Sequence, residues 1–116
     1  MKELNLPFWI GMDYEELEFE LEVLPDRIEG YDSYLYLGKF NNFLNDITDR
    51  TELLYSMDVL EGFIINIPLV NSEKITAQLE SILGNPQILV YNGTFHLIMS
   101  NSNLFNPIVY SIINQI

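Results

Sequence analysis

The residues best suited to chemistry by type and spacing are four glutamates, Glu16, Glu18, Glu20 and Glu22, which alternate with Leu17, Phe19, Leu21 and Val23. Glycoside hydrolysis needs two carboxyl groups facing one another across a substrate, roughly 5 to 9 Å apart, in environments that push their pKa values apart. Alternate residues of a strand stand about 6.7 Å apart, so the distance passes. The environments do not, because successive solvent-facing carboxylates have no reason to differ. Side chains on one flat face also converge poorly on an ion, and the Asp-x-Asp-x-Asp-Gly loop that wraps calcium is missing. His96, the only histidine, has no Ser or Cys nucleophile in a recognisable motif and is expected to be structural. The six glycines are scattered singly, without a phosphate-binding loop, and cysteine is absent, which excludes disulfides and a thiol nucleophile. The expectation is a protein without catalytic residues, metal or cofactor.

The elements that must position the glutamates follow from periodicity. The period of two from Glu15 to Val23 predicts a strand with carboxylates on one face and apolar side chains on the other. The competing reading is a helix opened by an Asp13/Glu16 capping box, which would bury Tyr14, Leu17, Leu21 and Leu24 and turn Phe19 and Val23 away. Leu24-Pro25-Asp26-Arg27 reads as a turn, and Tyr34-Leu35-Tyr36-Leu37 as a partner strand with Leu35 and Leu37 toward the core and both tyrosines on a more exposed face. Phe40, Phe43, Leu44 and Ile47 have helical spacing, and Asp49 with Glu52 suggests a second capped helix through Leu53 and Leu54.

Phe63 to Ile67 reads as a buried strand ended by Pro68. A helix capped at Asn71 or Ser72 follows, with Ile75, Leu79, Ile82 and Leu83 as its apolar stripe and Gly84-Asn85-Pro86 as its stop. Asn92-Gly93 then predicts a two-residue hairpin that sets Val90 opposite Phe95, Leu89 opposite His96 and Ile88 opposite Leu97. Asn106-Pro107 predicts the start of a last helix carrying Ile108, Ile112, Ile113 and Ile116, with a strand as the alternative. The order implies one α+β domain over residues 1–116, an antiparallel sheet of about five strands backed by two to three helices.

Charge is distributed unevenly. With 48% hydrophobic and 19% charged residues the chain has the composition of a folding domain rather than a disordered acidic tail. Its net charge is -12, and ten of its seventeen acids lie in the first 32 residues, whereas the 36 residues from Ser81 onward contain no charged side chain. Such a field repels nucleic acid and anionic membrane and attracts basic proteins. The N-terminus lacks a signal peptide's apolar run and no stretch approaches the length of a membrane span, so a cytoplasmic location is expected.

The acids have a plain reading as a solvated face that guards an edge against aggregation. Their functional reading is a docking surface built from Glu15, Glu16, Glu18, Glu20, Glu22, Asp26, Glu29 and Asp32, with Tyr31, Tyr34 and Tyr36 as anchors. In size, charge and this carboxylate-plus-tyrosine surface the chain resembles the acidic immunity proteins that bacteria pair with toxic nucleases, as in contact-dependent inhibition. The resemblance implies a partner with a basic active-site cleft, a cognate toxin nuclease domain, whose substrate phosphates the acids would imitate. The alternative is an acidic dimeric chaperone or adaptor that pairs through residues after Ser81, where an uncharged surface would otherwise meet water; the plain reading of that stretch is core.

Overall fold

The computed structural model describes residues 5–40, 42–43, 46–68, 72–101 and 103–114. Its elements in chain order are β1 (Leu21–Leu24), β2 (Asp32–Tyr36), β3 (Asn42–Phe43), β4 (Asp46–Ile47), β5 (Arg50–Ser56), β6 (Val59–Pro68), α1 (Ser72–Leu83), β7 (Gln87–Tyr91), β8 (Thr94–Ser100) and α2 (Phe105–Ile113). Six strands pair antiparallel in the order β1-β2-β5-β6-β8-β7, and β3 pairs with β4 in a separate two-residue ladder. The fold is α+β, with one strand more in the main sheet than the sequence suggested.

Both faces of the sheet are covered. On the first, Leu53, Tyr55, Phe63, Ile65, Ile67, Phe95 and Leu97 pack with Phe8, Met12 and Leu17 of the N-terminal segment and with Ile75 and Leu79 of α1. On the second, Leu54, Ile64 and Ile98 pack with Ile108 and Ile112 of α2. Strands covered on both sides lose the alternation that marks a half-exposed sheet, which is why β6 reads as a continuous apolar run.

The segment from Glu15 to Val23 is not one strand. Tyr14–Glu16 and Glu18–Glu20 are short 3₁₀ turns, and only from Leu21 does the chain enter the sheet. The cause lies upstream. The N–H of Gly11 donates to the Leu60 carbonyl at 2.8 Å, that of Leu60 to Met12 at 2.9 Å and that of Tyr14 to Asp58 at 2.8 Å, tying the chain to the start of β6. β1 lies three strands away, beyond β5 and β2. Residues 15–20 therefore cross the first face outside any ladder, and local bonds take up part of their backbone, Leu17 N–H to Tyr14 at 3.1 Å and Glu20 N–H to Leu17 at 2.8 Å, while the Glu20 carbonyl accepts from Leu37 N–H at 2.7 Å. Leu17 is buried, while Phe19 and Val23 are 93% and 75% exposed. The division of side chains is the one a helix would have imposed, on a backbone that is not an α-helix.

The same crossing reverses the faces of β2. Tyr34 and Tyr36 pack against the first core and Leu37 is exposed, because the N-terminal segment covers the tyrosine side. The helical spacing of Phe40, Phe43 and Ile47 is overridden by the β3–β4 ladder; Leu44 lies outside the described residues. Asp49 and Glu52 do not cap a helix either: Thr51 to Tyr55 are all buried within β5, and a segment flanked by two partner strands gains more from its ladders than from helix propensity.

The later expectations hold closely. α1 spans the predicted residues, Asn71 lying outside the described set. The β7–β8 hairpin has the predicted register, turning at Asn92 and Gly93, whose φ values of 54° and 81° are those of a type I′ turn. α2 begins earlier than Asn106, with Leu104 at its N-cap and Pro107 in its first turn, where a missing N–H costs no helical bond. Ile108 and Ile112 face inward and Ile113 is exposed; Ile116 is outside the described residues. Among the described residues no helix is long and apolar enough to cross a membrane.

Candidate functional site

Two regions carry chemistry. The first is the acidic rim along β1. Glu15, Glu16, Glu20 and Glu22 are exposed and Glu18 is partly buried; Asp26 and Glu29 in the β1–β2 connection and Asp32 at the start of β2 are also exposed. The structure thus sets Glu15, Glu16, Glu18 and Glu20 on the turns that cross the first face toward β1, Glu22 on the β1 edge, Asp26 and Glu29 in the loop beyond it and Asp32 at the start of β2. It does not set the tyrosines beside them as free contact residues. Tyr34 stacks with Tyr14 and Tyr55 at ring separations of 5.5 and 5.6 Å, Tyr36 meets Phe8 edge-on at 5.4 Å, and Tyr31 packs against the second core. Burial raises the pKa of Tyr34 and Tyr36, reinforced for Tyr34 by Tyr14, Asp32 and Asp58 and for Tyr36 by Glu20, so both remain neutral phenols. Gly38 has no room for a side chain, since a Cβ there would collide with the Tyr36 phenol. The exposed apolar groups among the acids are Phe19 and Val23 instead.

The second region is a cavity of about 510 Å³ on the α2 side of the sheet, and sequence reasoning missed it. Its floor is a row across three strands, in which Arg50 of β5 stands opposite Asn66 of β6, and Asn66 opposite His96 of β8. Glu52, two residues along β5 on the same face, is nearly sealed from water and holds Arg27 from the β1–β2 connection. Arg27 Nε donates to Glu52 Oε2 at 2.7 Å and Nη2 to Oε1 at 2.8 Å, a bidentate pair. Arg27 Nη1 also donates to Ser111 Oγ of α2 at 3.0 Å, and Ser111 in turn donates to the Ile108 carbonyl at 2.6 Å. The arginine thereby fastens the rim loop to both the sheet and α2.

His96 is 7% exposed, and its Nδ1 lies 2.6 Å from Asn66 Oδ1. Facing an oxygen, Nδ1 carries the proton, and Nε2 is left as a bare acceptor. Burial, and then the nearby Arg27 cation, lowers the His96 pKa below 6.5, so the ring is neutral at pH 7. A second cavity, of about 420 Å³ beside Phe8 and Trp9, is walled mainly by apolar side chains. Among the described residues no three His, Asp or Glu side chains form a set that could hold a metal ion. No protein-family model, curated protein or solved structure matches this chain.

Proposed function

We propose that this chain is a neutralising binding protein that docks its acidic rim on a basic partner, in the manner of an immunity protein occluding the cleft of a toxin nuclease. The observation that carries this reading is Phe19, an aromatic ring 93% exposed between the partly buried Glu18 and the exposed Glu20. Such a ring has no packing role in the isolated chain, and an apolar anchor ringed by charge is the anatomy of an interface hot spot. The carboxylates would steer the encounter and Phe19 with Val23 would hold it. In this reading the tyrosines support the rim from beneath.

The test co-expresses the chain with the product of the neighbouring upstream gene and measures affinity across salt concentrations. Changing Glu16, Glu18, Glu20 and Glu22 together to Gln should slow association and flatten the salt dependence, whereas Phe19→Ala should weaken affinity by roughly thirtyfold. Unchanged affinity and unchanged salt dependence in the glutamine variant would overturn the proposal.

One observation supports the dimeric chaperone or adaptor reading. Val90, Tyr91, Tyr110 and Ile113 are exposed within the charge-free final third. A homodimer through that surface would appear as a doubled mass in light scattering, and a monomer at micromolar concentration would remove this reading.

A further inference from the structure

The chain has five basic side chains and one histidine against seventeen acids, yet both arginines and the histidine line the same cavity. Glu52 would be the natural counterion for Arg50, standing two residues away on the same strand face. It is committed instead to Arg27 through both carboxylate oxygens. The described residues give Arg50, which lines the cavity at an exposed position, no ion pair or side-chain hydrogen bond. Next along the row, Asn66 has turned its oxygen to His96 and retains its amide hydrogens. At the far end His96 Nε2 is an acceptor. Adjacent strands lie about 4.8 Å apart, so the backbones of Arg50 and His96 stand roughly 10 Å apart across the row.

A donor fork, an amide donor and a lone-pair acceptor in sequence are complementary to an anion at one end and a hydroxyl or amino group at the other. Leu24, Pro25, Ile64 and Ile112 supply apolar wall between them. Asp26 and Glu52 balance Arg27 and Arg50 in the same lining, which disfavours a dianion such as phosphate and limits an anionic ligand to one charge in direct contact with Arg50. We propose that this cavity binds a small carboxylate bearing a hydrogen-bond donor at its other end, the carboxylate on Arg50 and the donor on His96.

The experiment titrates the uniformly ¹⁵N-labelled full chain with 4-hydroxyphenylacetate, with phenylacetate, which lacks the donor, and with 4-hydroxyphenylacetamide, which lacks the charge. The hydroxy acid should shift the amides of Asn66 and His96 saturably. Each of the other two should bind about tenfold more weakly, the scale of one lost hydrogen bond to a charged or buried group. Arg50→Gln, at an exposed position, should weaken the hydroxy acid by about tenfold and leave the amide's affinity unchanged. The inference fails if the hydroxy acid gives no saturable shift at these residues up to roughly 10 mM, if acid and amide bind alike, or if Arg50→Gln has no effect. None of these readouts involves the acidic rim, so the proposed protein partner stands or falls separately.

Discussion

At one end of the sheet β1 turns Glu22 and Val23 outward, with four more glutamates in the turns just before it; at the other, β7 turns out Val90 and Tyr91 in a stretch without a single charge. Both are edge strands of the main sheet, each paired on one side, and the free side of an edge strand is a template for another chain. The acidic edge repels a second copy of itself and admits a cationic surface. The uncharged edge has no such discrimination and is open to self-pairing. The same backbone geometry would thus suit a selective contact at one side and an unselective one at the other, with charge as the difference between them.

The largest effect expected on this contrast comes from Arg27→Ala. It leaves the Glu52 carboxylate buried and unpaired, which costs about 3 to 5 kcal/mol. Because Arg27 holds the loop that follows β1, hydrogen exchange should show β1 and β2 losing protection before β7 and β8; equal loss at both edges would mean that the sheet opens as one unit. pH separates the two sides in opposite directions. On β5, burial with Tyr14 and Tyr34 nearby lifts Tyr55 from 10.0 to about 12. The unfolded phenol loses its proton from about pH 10 while the folded one keeps it, so this contribution, about 3 kcal/mol at most, is intact below pH 10 and disappears between 10 and 12. Under β8 the sign is reversed: His96 resists protonation, so the folded state weakens as pH falls below 6.5. Urea unfolding at pH 5, 7, 9 and 11 checks both. The smallest effect on stability, within about 0.5 kcal/mol, is expected from Val90→Lys on the β7 edge. That change should dissolve any homodimer seen by sedimentation while leaving association through the acidic rim intact.

What was legible in the sequence was local. Asn92-Gly93 specified its turn because both positions need positive φ, and the α1 stripe specified its face by period alone. The β5–β6 hairpin was illegible for the opposite reason: Met57 and Asp58 adopt φ of 53° and 65° without the glycine or asparagine that announces such a turn. Glu15 to Val23 misled because a period of two reports which side chains alternate, not whether a neighbouring strand exists to pair with, and the tether at Gly11 to Tyr14 removed the neighbour. The carboxylates of the rim were foreseen and their exposed aromatic partner was not, since burial of the tyrosines depends on a segment that returns across the sheet. The cavity draws on β5, β6, β8, α2 and a loop, so no spacing marks it. Its one local sign is polarity out of place: Glu52 within Thr-Glu-Leu-Leu-Tyr and Asn66 within Ile-Ile-Asn-Ile are polar residues in runs otherwise suited to a core.

Arg27 also bears on the order in which the molecule comes together. Its bonds reach 25 positions along the chain to Glu52 of β5 and 84 positions to Ser111 of α2. Contacts of such separation carry a high loop-closure cost, so Arg27→Ala is expected to raise the unfolding rate more than it lowers the folding rate, which stopped-flow kinetics across urea concentrations would check. An interaction made after the barrier slows escape from the native state without hastening arrival. On that expectation the guanidinium of Arg27 would act as a latch on lifetime, setting how long the folded chain persists more than how fast it forms.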